Sequence, residues 1–292
     1  MKPARFDFHR ARSVKDALIL LDDLGEDAKA IAGGQSLMAM MNFRLARPSA
    51  LVDLGGIDGL AYLRRDADGL RIGALTTHHQ VERAGSELDG YDVVRRSMRW
   101  IGHFPIRTRG TIGGSLAHSD STAEWCLLAV LLDAVVVAQS LAGRREILAS
   151  DFLLGLYTTA LAPGELVVEV RFPRPAPHAA LVEYAERAGD FAIVAAAVRL
   201  DVTADVVDGG RLVLGGIGAV PLTVPVQEFA AGRPADEHLE AACAAAADRA
   251  VREHAAKVGD LGDPDVEYRA ALAGSLARRA LAQATQEEVR AR

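Results

Sequence analysis

Apolar and polar positions follow two different periods along the first sixty residues. Val14, Ala17, Leu18, Leu21 and Leu24 fall on one face of a helical repeat. Ser13 stands before them with Asp16 three positions on, a variant of the capping box, and Gly25 ends the run, so the spacing predicts a helix over 14–24. A short apolar strand is expected from Ala28 to Ala32. It leads straight into Gly33-Gly34-Gln35-Ser36, and Leu37, Met38, Met40 and Met41 suggest a helical turn after that loop. Leu51-Val52-Asp53-Leu54 reads as a second buried strand. The opening is therefore a βαβ-like unit with a diglycine at its strand-to-helix junction.

From about Ala61 the pattern changes to period two. Leu63 to Leu75 reads as a hairpin turning at Asp66-Ala67-Asp68-Gly69. Thr76-Thr77 suits the cap of a helix through His79 to Arg83, and a second helix is expected over Asp92 to Ile101. Gly102 to Ser121 reads as irregular and polar. Glu124 to Leu132 reads as a helix, with strands at Ala134 to Ala138 and Leu166 to Phe172. Pro173-Arg174-Pro175-Ala176-Pro177 favours an extended, semi-rigid segment and is the expected domain boundary. Beyond it come strands at Leu181 to Tyr184, Phe191 to Leu200 and near Leu212 to Leu214. Ala-rich helices follow, from Asp236 to His254 and from Asp265 to Ala282.

Composition narrows the function. The 292 residues are half hydrophobic and one quarter charged, which is ordinary for a globular protein. The apolar stretch from Trp125 to Ala138 is broken by Asp133 and falls short of the roughly 20 residues a membrane helix needs, so no membrane insertion is expected. Met1-Lys2-Pro3-Ala4-Arg5 has no apolar segment behind it, so a secretory leader is not expected. A net charge of −6 with mixed signs lacks the basic stripe of a nucleic-acid binder. The two cysteines, Cys126 and Cys243, cannot ligate a four-thiolate cluster within this chain and give no disulfide framework, which fits a cytoplasmic location.

The candidate chemistry lies in two similar loops, Ala32-Gly33-Gly34-Gln35-Ser36-Leu37 and Thr111-Ile112-Gly113-Gly114-Ser115-Leu116. Paired glycines let a backbone approach a ligand closely, and successive N–H groups beside a helix start form a concavity for an anion. Two such loops facing each other would clasp a pyrophosphate. Neither matches the G-x-G-x-x-G dinucleotide fingerprint, and no phosphate-binding G-x-x-x-x-G-K-[ST] loop occurs. Arg107 and Arg109 suit either a phosphate or a surface ion pair. His78, His79, His103 and His118 lack the carboxylate or thiolate neighbours of a metal site, so none is expected. Trp100 and Trp125 read as packing residues.

Five segments occur in a family order: Lys29-Ala30-Ile31-Ala32-Gly33-Gly34-Gln35-Ser36-Leu37, Leu51-Val52-Asp53-Leu54, Ile72-Gly73-Ala74-Leu75-Thr76-Thr77, Arg109-Gly110-Thr111-Ile112-Gly113-Gly114-Ser115-Leu116 and Gly189-Asp190-Phe191-Ala192. Together they resemble the medium, FAD-binding subunit of the molybdenum hydroxylases, the carbon-monoxide dehydrogenase and xanthine dehydrogenase type, over nearly the whole chain. Glu267-Tyr268-Arg269 resembles the C-terminal end of that subunit. The resemblance implies an α+β fold: a two-part PCMH-type FAD-binding domain over 1–175, with subdomains of about 1–57 and 58–175, and a small α+β C-terminal domain over 178–292.

The same resemblance implies the site. The backbone of Ala32, Gly33, Gly34, Gln35 and Ser36 and of Thr111, Ile112, Gly113, Gly114 and Ser115 would hold the FAD pyrophosphate and ribityl. Lys29 and Leu37 would flank the adenosine half. Ile101 and Val167 fall at family contact positions. Glu124 stands where the family has an aspartate on the ribityl chain, and Phe191 where some relatives put a tyrosine over the flavin. Glu183 stands where relatives often carry lysine. The implied partners are a small [2Fe-2S] subunit and a large molybdopterin subunit, arranged as a dimer of heterotrimers, and this chain would carry electrons from the clusters through FAD to an external acceptor. Two alternatives share the glycine chemistry: a stand-alone PCMH-type flavin oxidoreductase with its own proton donor, and a non-redox nucleotide-binding module.

Overall fold

The computed structural model describes residues 2–204, 206–226, 230, 232–234, 236–259 and 264–286. Met1 of the start read for a leader, and residues 287–292 at the end of the expected C-terminal domain, lie outside them.

The first lobe runs β1 (Asp7–Arg10), α1 (Val14–Leu24), β2 (Ala28–Ile31), α2 (Leu37–Asn42) and β3 (Ala50–Asp53). Its sheet is parallel in the order β1-β3-β2. The cap of α1 forms as its sequence requires. Ser13 accepts from the Asp16 N–H at 3.0 Å, the Asp16 carboxylate accepts from the Arg12 N–H at 2.8 Å, and Gly25 ends the helix at φ 75°. Ala17 and Leu18 are buried against Val52 and Leu54. Strand β1 was not expected from the sequence. Its residues are mostly exposed, so no apolar run announces it, and pairing with β3 decides its conformation.

The second lobe contains β4 (Leu63–Asp66), β5 (Gly69–Gly73), α3 (His78–Glu82), α4 (Asp92–Ser97), α5 (Phe104–Arg107), α6 (Ile112–His118), α7 (Glu124–Leu131), β6 (Val135–Ser140), β7 (Gly143–Leu148), α8 (Ala149–Phe152), β8 (Leu153–Gly155), β9 (Thr158–Thr159) and β10 (Leu166–Phe172). Its main sheet is antiparallel, β4-β5-β10-β6-β7. The stretch from Gly102 to Ser121, expected to be irregular, holds α5 and α6. Pro105 in the first turn of α5 and the Thr111 cap of α6 specify them, while glycines and a short apolar repeat hide their helical period. Helix α4 ends at Ser97, short of the expected Ile101. Every residue of α7 from Trp125 to Leu131 is buried, because the helix lies in the largest core with sheets on more than one side.

The remaining elements are β11 (Ala179–Tyr184), β12 (Val194–Thr203), β13 (Val206–Gly215), β14 (Leu222–Pro225), β15 (Arg233–Pro234), α9 (Glu237–Val258) and α10 (Pro264–Gln286). The sheet is antiparallel in the order β11-β12-β13-β14, with β15 also on β13. Alternation along β12 divides the two faces. Val194, Ala196 and Val198 face the core shared with α9 and α10, whereas Ala195 and Ala197 face the α7 core. Strand β12 begins at Val194 rather than at Phe191, because Gly189 at φ 86° keeps the preceding residues in the turn. The proline segment is pinned rather than free: the Ala176 N–H donates to the Gly90 carbonyl at 2.7 Å and its side chain is buried. Among the described residues no helix is long and apolar enough to cross a membrane.

Candidate functional site

The first glycine loop joins β2 to α2. Gly34 takes φ 71°, the left-handed region where glycine costs least. Met38 donates to the Gly34 carbonyl at 3.1 Å, and the Gln35 side-chain amide donates to the Gly33 carbonyl at 2.8 Å. The N–H groups of Gly33, Gly34, Gln35 and Ser36 donate to no atom among the described residues. Four consecutive unspent donors on a half-exposed loop form a nest suited to an anion.

The second diglycine differs from its expected form. Gly113 and Gly114 lie in the first turn of α6, not in a loop, and neither has a positive φ. Their role is closeness. A β-carbon on residue 113 would stand 2.6 Å from the Ala74 Cβ, and the Gly113 N–H donates to the Ala74 carbonyl at 2.9 Å. Neighbouring bonds fasten the same segment to the end of β5: Ile112 N–H to the Thr76 carbonyl at 3.1 Å, and His78 N–H to the Gly110 carbonyl at 3.0 Å. Thr111 caps α6, its hydroxyl accepting from the Gly114 N–H at 3.1 Å. Thr77 closes a capping box with Gln80, whereas Thr76 instead bonds Tyr62.

The two segments meet. A β-carbon on Gly33 would stand 2.1 Å from the Arg109 carbonyl oxygen and 2.9 Å from the Gly110 Cα. A β-carbon on Gly114 would lie 3.8 Å from the Ala32 Cβ. Backbone of the first lobe therefore abuts backbone of the second, and unspent N–H groups from 33–36 border the junction. That donor set fits the diphosphate of a dinucleotide, which has more charge than one nest satisfies. Arg109 is exposed and has no ion-pair partner among the described residues, so it remains open to an anion. Arg107 is committed within the fold, donating to Glu82 at 3.2 Å and to the Gly102 carbonyl at 2.9 Å.

The other expected contacts are distributed unevenly. Lys29 is exposed on β2, and Leu37 opens α2 beside the nest. Ile112 is fully buried, so only its backbone faces the junction. Val167 is buried in the α7 core on β10, one residue before Val168, whose carbonyl accepts from Ala74 at 3.1 Å. Ile101 packs against the same core and is half-buried. Phe191 is 71% exposed in the β11–β12 turn, where Gly189 packs so tightly that a β-carbon there would lie 2.4 Å from the His103 ring.

Glu124 opens α7. Burial, and then repulsion from Glu183, push its carboxyl up to about 8. Glu183 on β11 is buried and pushed up to about 7 by burial. The histidines are spread over separate surroundings. His78 is buried and its Nδ1 accepts from the Trp125 indole at 2.9 Å. His79 contacts Glu82 and Phe104, and His118 stacks on Tyr157 at 4.7 Å. The segment Ile72 to Thr77 stood out in the sequence as part of the family order without a role; backbone pairing shows that Ala74 and Thr76 are the frame that carries α6.

Residues 4–175 match the family model described as the FAD binding domain in molybdopterin dehydrogenase, and residues 179–284 match that of the CO dehydrogenase flavoprotein C-terminal domain. The 6-hydroxypseudooxynicotine dehydrogenase complex subunit alpha of Paenarthrobacter nicotinovorans is 46% identical over 68% of this chain and 67% of its own. The nicotine 6-hydroxylase medium subunit of the same organism is 34% identical over 97% of this chain and 99% of its own. The carbon monoxide dehydrogenase structure from Hydrogenophaga pseudoflava aligns with a TM-score of 0.89 at 30% identity, covering 98% of this chain and 99% of that one. Fold and site thus define an FAD-binding α+β chain. It belongs to the family of FAD-binding medium subunits of molybdenum hydroxylase-type dehydrogenases.

Proposed function

We propose that this chain is the electron-transfer subunit of a heterotrimeric molybdenum hydroxylase. It would receive electrons from the [2Fe-2S] clusters of a small partner and pass them to an external acceptor. Substrate is oxidised in a large molybdopterin subunit, and two heterotrimers pair. The division of labour within the chain falls at residues 175–178, with the FAD-binding part before and the smaller α+β part after. Bound FAD accepts electrons singly and releases them singly or in pairs.

The supporting observation is the junction of Gly33 with Arg109-Gly110 beside four unspent N–H groups. In this reading the backbone from Ala32 to Ser36 donates to the diphosphate, and the segment from Thr111 to Ser115, whose N–H groups from Ile112 to Ser115 are spent within the fold, forms the facing wall. Arg109 adds a positive charge, and Leu37 and Lys29 border the adenosine end. Phe191 and Ile101 limit water at the flavin end. No residue here is assigned to bond chemistry. The chain binds, orients and shields.

The test is reconstitution. The purified chain mixed with FAD should give a yellow one-to-one complex with quenched flavin fluorescence. That complex should be reduced by a dithionite-reduced [2Fe-2S] small subunit and not by organic substrates alone. A chain that stays colourless with excess FAD overturns the reading. Direct reduction by a substrate would move the assignment to a stand-alone oxidoreductase.

A further inference from the structure

Strand register sets Arg199 of β12 directly opposite Arg211 of β13. Like charges so paired repel. Asp133, just past the end of α7, answers both, at 2.8 Å from Arg199 and 2.6 Å from Arg211, and lies 3.4 Å from Arg174. Among the described residues the only other carboxylate paired with these arginines is that of Asp201, half-exposed and 3.6 Å from Arg199. Three guanidiniums therefore meet two carboxylates, and the cluster keeps a surplus of positive charge.

Arg211 has bonds to spare. Its Nη1 is taken by Asp133 and by the Val130 carbonyl, whereas its Nε and Nη2 donate no hydrogen bond among the described residues. Those two N–H groups form the guanidinium edge that grips a carboxylate through two parallel bonds.

A cavity of about 240 Å³ lies against this side chain. Alternation along β13 sends Leu212 and Leu214 to the α9–α10 core and Arg211 and Val213 to the α7 side, where Thr223 of β14 stands beside Val213. Val130, Ala134 and Ala149 give the cavity an apolar lining, and Ser150 and Thr223 bring hydroxyls. Its walls thus come from the FAD-binding part and from the C-terminal sheet, and none belongs to the glycine-loop junction. The volume falls below the roughly 300–1,000 Å³ of a pocket for a drug-sized ligand, so it is too small for a nucleotide and admits a single ring.

We propose that this cavity is a second ligand site, for a small carboxylic acid with an apolar body. The carboxylate binds the open Arg211 edge and answers the surplus charge. The apolar body lies on Val130, Ala134 and Ala149. A ligand there bridges the two parts of the chain and stabilises their packing by mass action.

Benzoate is the probe. Benzyl alcohol offers a similar body without the charge, and inorganic phosphate the charge without the body. Ligand-observed NMR on the full chain should show saturable benzoate binding with a dissociation constant of about 1 mM. Benzoate at about ten times that value should raise the melting temperature by about 3 °C. Benzyl alcohol and phosphate should each bind about tenfold more weakly, and Arg211→Gln should weaken benzoate by about tenfold. Arg211→Gln also removes a partner of Asp133, so a second variant avoids the cluster. Thr223→Trp, at an exposed position of β14, fills the cavity and should abolish benzoate binding while the ligand-free melt stays unchanged. Benzoate affinity unaltered in a folded Thr223→Trp, phosphate bound as well as benzoate, or no saturation by about 20 mM overturns the site. The test uses no FAD, so its failure leaves the flavoprotein reading standing.

Discussion

The indole N–H of Trp125 donates to Nδ1 of His78 over 2.9 Å, so the imidazole is held neutral as an acceptor inside the core. Burial first, and Arg107 second, lower the His78 pKa to about 4. The unfolded chain therefore binds a proton at higher pH than the folded one. Stability should be undiminished above the unfolded value near 6.5 and fall as pH drops from there toward 4. The whole loss is of the order of 3 kcal/mol. Thermal melts from pH 8 to pH 4 should show it, and His78→Gln should remove most of that pH slope.

Gly33 tests the junction of the two lobes. Gly33→Ala places a methyl group 2.1 Å from the Arg109 carbonyl, and backbone must move to admit it. The expected outcome is a loss of about 2 kcal/mol in stability and FAD affinity weakened by at least tenfold. Gly155→Ala, whose new methyl meets only Thr158 at 3.7 Å, should leave FAD titrations unchanged. Equal FAD affinity in the two variants would contradict the junction as the binding site.

Asp133, just past the C-terminal end of α7, ties that end of the helix to β12 and β13. It pairs with Arg199 at 2.8 Å, Arg211 at 2.6 Å and Arg174 at 3.4 Å, while Arg199 also donates to the Leu131 carbonyl at 3.2 Å. Burial pushes its carboxyl up, but the arginines outweigh this and hold it below the ordinary carboxylate range. Asp133 also sits at φ 53°, which asparagine tolerates. Asp133→Asn thus keeps the backbone and removes the charge. Urea unfolding should show a loss of about 2–3 kcal/mol, and melts should show the wild-type advantage shrinking as acid protonates Asp133.

Thr111 links stability to the site. Removing its hydroxyl in Thr111→Ala frees the Gly114 N–H and should cost about 1 kcal/mol by thermal melt. Thr111→Ser should restore both stability and FAD affinity, because the hydroxyl and not the methyl makes the cap.

Much of this organisation can be read in the chain itself. Helix 14–24, its Ser13 cap and its Gly25 stop depend on neighbours within four residues, so local chemistry suffices. The same holds for the Asp66–Gly69 hairpin and for the Asp236 cap of α9. The diglycines were conspicuous for the same reason, since Gly-Gly before a hydroxyl is a local pattern. Strand β1 and the helices within 102–121 were not legible. An exposed strand has no apolar signature, and glycine in a first turn reads as loop.

Residue order alone was enough to specify the elements whose causes lie within a turn or two of chain, and the residue types able to meet an anion. Folding decided their use. Gly34 serves through its backbone angle and Gly113 through its nearness to Ala74, though both are written as the same pair of letters. The contact of Gly33 with Arg109, and the pairing of Asp133 with Arg199 and Arg211, join positions dozens of residues apart. Such meetings arise only when separate sheets pack, because burial and charge repulsion are set by whichever neighbours tertiary structure brings within a few ångströms.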